Sequence, residues 1–163
     1  MDIRYAAGLF DGEGFVRVAK WAKPNSVHVR YQVVGGIGMT HRPVIEALQD
    51  QFGGQIYANR HDLRNPKNRI QFMWHFASQI GASFLRQIAP HLIVKKEEVE
   101  LALELQDDID KYRHKLGNQF WLHPQRDEIF AHRDSLALRI SALKKRAFLP
   151  PVESGPSGSV NRH

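Results

Sequence analysis

The chain has 163 residues and a formal net charge of +6, with 42% hydrophobic residues and no cysteine. Its length predicts one domain with its own core, its hydrophobic content excludes a disordered chain, and the lack of cysteine excludes disulfide scaffolds and thiolate metal sites. No apolar run is long enough to span a membrane and no signal peptide is visible, so we expect no membrane partner and an intracellular location, in a bacterial or phage-infected cytoplasm or an organelle.

The first third of the chain predicts a helix followed by a hairpin. A short helix over 3–11 closes on Gly12 and Gly14. Strands 15–23 and 27–37 follow, because both segments alternate and are rich in valine and aromatic residues.

The same order of helix and hairpin then returns. Thr40 is the expected N-cap of a second helix, with Pro43 in its first turn and Gly53 after its end. A second hairpin is predicted over 55–61 and 69–75.

Helices dominate the rest of the chain. They are predicted over 77–89, where Ile80, Phe84 and Ile88 share a face, over 95–114 and over 125–146. We expect a core of residues 1–115, a helical extension of residues 116–148 packed on that core, and a disordered tail of residues 149–163.

The four predicted strands concentrate positive charge. Residues 15–37 contain four bases and no acid, and residues 53–75 contain four bases against Asp62 alone. Alternation gives an antiparallel sheet with an apolar face under the helices and an exposed face of long polar side chains, which suit base edges in a major groove. The predicted DNA-binding residues are Arg17, Trp21, Lys23, His28, Arg30, Gln32, Arg60, Arg64, Lys67, Arg69 and Gln71. On alternation alone, a solvated sheet face is the alternative.

Small and acidic residues share the end of the first predicted helix. Gly8 and Gly12 are four residues apart, so a second helix could approach to backbone contact. Two copies packed about a two-fold axis would bring their Glu13 carboxylates together, which favours a hard divalent cation between them. The alternative is a helix that ends in a turn and carries surface acids.

The segment Ala6-Ala7-Gly8-Leu9-Phe10-Asp11-Gly12-Glu13-Gly14 resembles the LAGLIDADG motif of a homing endonuclease family. Ile37-Gly38-Met39-Thr40, before the second helix, and Pro90-His91-Leu92-Ile93-Val94-Lys95-Lys96, opening the fourth, also resemble that family. The resemblance covers roughly residues 3–110. It implies an α+β fold of order αββαββα with a saddle-shaped antiparallel sheet, to which this chain adds C-terminal helices.

The resemblance also implies a function. Members with one motif act as homodimers that cut both strands of a long double-stranded DNA site, and many are intron-encoded. It implies Mg²⁺, with Mn²⁺ as a substitute and no small-molecule cofactor, held by Glu13 and Gly12. Asp11, Glu13 and Lys95 (or Lys96, if the alignment slips by one) are the implied catalytic residues, and Ala7, Gly8, Asp11 and Gly12 the implied dimer interface.

One position departs from the family pattern. Glu13 stands where aspartate is more usual, which shifts the carboxylate outward by one methylene. The rival interpretation is a catalytically silent nucleic-acid binder of the same fold, such as an intron RNA maturase or a transcription regulator. The retained pair of Asp11 and Glu13 favours the enzyme, since a binder needs no carboxylates facing phosphates.

Overall fold

The computed structural model describes residues 1–22, 29–59, 69–116, 120 and 122–146. Five α-helices and four strands lie within these residues, together with a 3-10 turn over Ala89–His91. In chain order they are α1 (Ile3–Glu13), β1 (Gly14–Ala22), β2 (Val29–Met39), α2 (Arg42–Phe52), β3 (Gln55–Asn59), β4 (Gln71–Ala77), α3 (Ser78–Ile88), α4 (Lys96–Leu116) and α5 (Arg126–Arg146). The predicted α+β class and its αββαββα order are confirmed. No helix of the described residues is long and apolar enough to cross a membrane.

The four strands form one antiparallel sheet in the order β1-β2-β4-β3. One face is covered by the helices and carries the buried side chains, among them Val16, Val33, Ile37, Trp74 and Phe76. The other face, called the open face below, carries the alternate residues of each strand. The predicted division into an apolar and a polar face therefore holds, because strand alternation leaves only one way to bury the apolar set.

An aromatic cluster holds the helices on the sheet. The Phe84 ring on α3 packs at centroid distances of 5.7, 4.9, 4.8 and 5.4 Å against the rings of Phe10, Phe52, Trp74 and Phe76. Phe84 and three of these partners are at most 2% exposed, and Phe52 is partly buried. Burial of this much ring area, with mostly tilted or edge-on contacts, makes Phe84 the centre of the core.

Three details of the helices differ from the prediction. The predicted first helix covers 3–11, whereas α1 continues through Gly12 and ends at Glu13. His41, not Thr40, is the N-cap of α2, and it caps without a side-chain hydrogen bond. In α3, Ile80 is 46% exposed while Phe84 and Ile88 are buried. Each step of four residues turns a helix about 40° beyond a full circle, so three residues at that spacing drift off one face. The predicted stop at Gly53 is confirmed, since Gly53 has a φ of 76° that favours glycine.

The last helix is joined to the rest of the chain by polar contacts as well as by its apolar side. Leu136 and Ile140 belong to the same hydrophobic cluster as α1 and the sheet. Arg133 is buried and forms a 2.6 Å ion pair with Asp108 on α4. Asp134 accepts from the Lys20 ammonium at 2.6 Å and from a tyrosine hydroxyl of β2 at 3.0 Å. These contacts dock α5 along α4 and β1.

Candidate nucleic-acid interface and active site

The end of α1 is tied to the start of α4. The Asp11 carboxylate accepts backbone N–H groups from Ile93 at 2.7 Å, Val94 at 3.2 Å and Lys95 at 2.9 Å. The Lys95 ammonium donates in turn to the Asp11 carbonyl, near the negative end of the α1 dipole. Burial acts to raise the pKa of Asp11, but the three N–H groups and the Lys95 charge outweigh it and hold that pKa below its usual value.

These bonds give Asp11 a role inside its own chain. It joins segments more than eighty residues apart and fixes where Lys95 lies relative to the motif helix. The bracing role is therefore visible in the geometry, while a catalytic or interface role for Asp11 stays a prediction. The Lys95 ammonium lies beside the end of α1, and its action on a phosphate stays a prediction.

Glu13 is the last residue of α1, and its side chain is exposed. It takes part in none of the ion pairs among the described residues. Gly12 beside it is exposed as well. No three histidine, aspartate or glutamate side chains in the described part of the chain are grouped closely enough to hold a metal ion. Glu13 is thus a surface carboxylate, and oxygen ligands of this kind are those that Mg²⁺ prefers.

Two glycines leave the outer face of α1 without side chains at positions 8 and 12. A Cβ atom placed on Gly8 or Gly12 would meet nothing within 4 Å, so both glycines open onto free space. Ala7 was also predicted at the interface, but its side chain is fully buried in the core of its own chain. Helical rotation explains this, since residues 7 and 8 are separated by about 100°. The surface offered to a second helix is therefore that of Gly8 and Gly12.

A second lysine comes to this region from α5. The Lys144 ammonium donates to the backbone carbonyl of Val16, on the edge strand β1. Burial lowers the pKa of Lys144 and raises the pKa of the nearby Glu98. Arg17 and Lys95 are close enough to act on Lys144 electrostatically. Lys144 was not among the predicted site residues, and its signal in the sequence is the basic end of the last helix.

The open face holds the predicted DNA-binding residues that the structure describes. Arg17, Arg30 and Trp21 are exposed on β1 and β2, with Trp21 directly opposite Arg30 in the ladder. Gln32 is half-buried and donates to the Ser78 hydroxyl at 2.8 Å. Gln71 is exposed at the start of β4, and Arg69 is exposed two residues before that strand begins. The other predicted contacts lie outside the described residues: Lys23, His28, Arg60, Arg64 and Lys67.

Comparison with known proteins finds no matching family model and no matching curated sequence. Solved structures do match. The archaeal intron-encoded homing endonuclease I-Vdi141I, complexed with DNA, superposes with a TM-score of 0.67 at 20% identity, over 86% of this chain and 82% of that one. The homing endonuclease I-CvuI, in complex with the I-CreI target in the presence of Mg, has a TM-score of 0.66 at 14% identity, over 86% and 80% of the two chains.

A third match names the motif. The LAGLIDADG homing endonuclease I-GzeII, in complex with its DNA target, matches with a TM-score of 0.60 at 14% identity, over 99% of this chain but 54% of that one. The chain has the LAGLIDADG homing endonuclease fold. In this LAGLIDADG fold, the segment that resembles the motif forms most of α1 and its exit into β1. The resemblance predicted from residues 6–14 is confirmed at the level of the fold.

Proposed function

We propose that this protein is a site-specific DNA endonuclease. Two copies would bind one long site in double-stranded DNA and hydrolyse one phosphodiester on each strand. The observation that carries this proposal is the exposed Glu13 carboxylate at the end of α1. It lies beside Gly12, which opens onto free space, and two residues after Asp11, whose backbone carbonyl accepts a hydrogen bond from Lys95. The location that we propose remains intracellular, as the sequence analysis expects.

The charge of the sheet supports DNA as the substrate. None of the four described strands contains an acidic residue, whereas the open face carries Arg17 and Arg30. A solvated protein surface usually mixes both signs, so a face of one sign favours a polyanion. The matched structures of I-Vdi141I and I-GzeII contain bound DNA, which supports the same substrate class.

The bare face of α1 supports a dimer of this chain. Gly8 and Gly12 allow the α1 helices of two copies to approach to backbone contact. The chain spans about half of I-GzeII, at 54%, so two copies match the size of that longer protein. A two-fold axis beside Gly12 places the Glu13 carboxylates of both copies at one centre, and each copy then contributes one acid to it.

The oxygen donors at this centre fit a divalent cation. The Glu13 carboxylate and the Gly12 backbone carbonyl would hold Mg²⁺, or Mn²⁺ in its place. When bound, the ion supplies Lewis-acid stabilisation of the oxygens on the reacting phosphorus. Lys95 neutralises negative charge beside that phosphate, and its bonds to Asp11 keep the ammonium in place before DNA binds. Asp11 acts by positioning both Lys95 and the end of α1.

Selection from a randomised duplex library tests this proposal. The protein is incubated with the library in Mg²⁺, in Mn²⁺, in Ca²⁺ and without metal, and both bound and cleaved sequences are recovered. We expect cleaved sites only with Mg²⁺ or Mn²⁺, and palindromic character in these sites would support two equal copies. Bound sequences without cleavage in any metal would favour the silent binder, and no enrichment at all would refute the proposal.

The Glu13→Gln variant tests the role of the carboxylate. This substitution keeps the shape of the side chain but removes the charge that holds the ion. We expect cleavage to fall by more than about a hundredfold while DNA affinity in Ca²⁺ changes little, since removal of one transition-state stabiliser costs that much. Glu100→Gln is the matched control, because Glu100 is also an exposed helix carboxylate but lies on α4. Cleavage by Glu13→Gln at the wild-type rate, as expected for Glu100→Gln, would remove Glu13 from the mechanism.

A further inference from the structure

Three aromatic rings cross the open face in a continuous line. The Phe15 ring on β1 meets the His75 ring on β4 edge-on, at a centroid distance of 5.6 Å and an interplanar angle of 68°. The same imidazole meets the Tyr57 ring on β3 at 5.5 Å and 88°. We call Phe15, His75 and Tyr57 the aromatic row.

The register of the sheet produces this row. Gly36 on β2 pairs with Phe15 on one side and with His75 on the other. Because glycine has no side chain, the Phe15 and His75 rings can meet above it although β1 and β4 are not neighbouring strands. A Cβ on Gly36 would lie 3.3 Å from the Phe15 ring and would collide with the Trp74 carbonyl. The Tyr57 hydroxyl donates to the Gln55 amide, which holds the third ring in orientation. The row therefore follows from the register of the strands and from the glycine at position 36.

The row is accessible and contains no carboxylate, ammonium or guanidinium group. Tyr57 is 52% exposed, and Phe15 and His75 are half-buried outside the main core cluster. Burial and the neighbouring Arg17 both lower the pKa of His75 and favour the neutral imidazole. A line of aromatic rings thus crosses a face whose other exposed side chains include Arg17, Arg30 and Gln71. The ring faces and C–H edges of Phe15 and Tyr57 cannot form the forked hydrogen bonds by which arginine or glutamine reads a base, so they suit an apolar feature of the ligand.

The row lies at the catalytic end of the open face. Phe15 follows Glu13 by two residues, while Trp21 and Arg30 lie at the other end of the same hairpin. If DNA lies along the strands, the row faces the base pairs nearest the cleaved bonds, and the Trp21 end faces the outer base pairs. The apolar group that distinguishes base pairs in the major groove is the 5-methyl group of thymine.

We propose that the aromatic row selects thymine at the base pairs nearest the cleaved bonds by packing on thymine 5-methyl groups. This inference rests on the proposed DNA-cleaving function and adds a specificity determinant to it. Phe15 and Tyr57 supply the packing surface, and His75 holds the two rings at their spacing. Removing one buried methyl group is expected to weaken binding about fourfold, the equivalent of the transfer free energy of one CH₂ group.

Replacement of thymine by uracil tests the inference, because uracil lacks only the methyl group. The site recovered from the library is remade with a single uracil at each thymine in turn, and affinity is measured in Ca²⁺ so that cleavage does not interfere. We expect a loss of about fourfold for uracil at the inner positions and none at the outer ones. In Tyr57→Ala and Phe15→Ala, the inner uracil and thymine duplexes should bind equally. Trp21→Ala is the control, an aromatic removed from the far end of the same face, and it should keep the inner uracil effect.

The outcomes separate this inference from the proposed function. Tyr57 lies on an edge strand and is half-exposed, so its variant keeps the measurement valid if Phe15→Ala does not fold. Inner positions without thymine, or an inner uracil effect of equal size in the wild type and in Tyr57→Ala, would overturn the inference alone. Failure to recover any bound duplex would overturn both the inference and the proposed function.

Discussion

Asp11→Asn is the sharpest test of how this fold holds its candidate site. The substitution keeps the size of the side chain but replaces one acceptor oxygen by an NH₂ group. In the wild type, one carboxylate oxygen accepts from Ile93 and Val94, and the other accepts from Lys95. The amide oxygen can serve only one of these two sides, so at least one backbone N–H must face another donor.

The magnitude follows from the number and kind of bonds lost. All three N–H groups precede α4, so Asp11 does not cap that helix, and a hydrogen bond to a charged group contributes about 1.5–3 kcal/mol. Asp11 is only partly buried, so water replaces part of the loss. We expect about 2 kcal/mol of destabilisation for Asp11→Asn. For a chain of this size, that corresponds to a fall in Tm of roughly 4–8 °C.

The assay is urea unfolding followed by circular dichroism at several pH values. The pKa of Asp11 in the folded chain lies below its ordinary value of 3.8. The stabilisation is therefore complete above pH 3.8 and is lost as pH falls through the lower, folded-state pKa. The difference between wild type and Asp11→Asn should shrink over that range. Asp50→Asn is the control, an exposed aspartate on α2. Equal stability of the two variants at pH 7 would refute the bracing role.

The remaining predictions concern the proposed dimer interface at Gly8, the Lys95 ammonium and the aromatic core around Phe84. Gly8→Leu should abolish the dimer in sedimentation because its side chain fills the bare face, and an intact dimer would contradict that packing. Lys95→Ala should slow single-turnover cleavage more than it weakens DNA binding, whereas the reverse would make Lys95 a phosphate anchor. Phe84→Ala should lower the free energy of unfolding by about 3–5 kcal/mol because four ring contacts are lost, and Ile80→Ala, at the exposed rim, should cost clearly less.

Local signals explain what could be predicted of the fold. Alternation of apolar and polar residues identified both hairpins and the buried face of the sheet, since burial of one face depends only on a period of two. Gly53 marked the end of α2 because its φ of 76° is unfavourable for other residues. The predictions that failed are the Thr40 cap, the end of the first helix and the common face of Ile80 with Phe84 and Ile88. All three concern helix ends or rims, where a change of one residue or a small rotation decides the outcome.

The candidate site was predictable only in part. The resemblance of residues 6–14 identified Glu13, and that of residues 90–96 identified Lys95. In the structure Glu13 ends α1, and the Lys95 ammonium donates to the backbone of that helix end. It did not reveal that Ala7 faces inward or that Lys144 reaches the edge of β1. Neither fact has a local signal, because each depends on how one helix is rotated or docked against the rest of the chain.

The amino-acid sequence was enough to predict the order of helices and strands, the lack of acids in the strands and the motif of this fold. These properties depend on residue type and short-range spacing, which a linear chain displays directly. The brace between Asp11 and Lys95 and the row of Phe15, His75 and Tyr57 became visible in the folded chain. Both arrangements join residues many positions apart, and their geometry depends on strand register and helix docking, which are set by packing of the whole core.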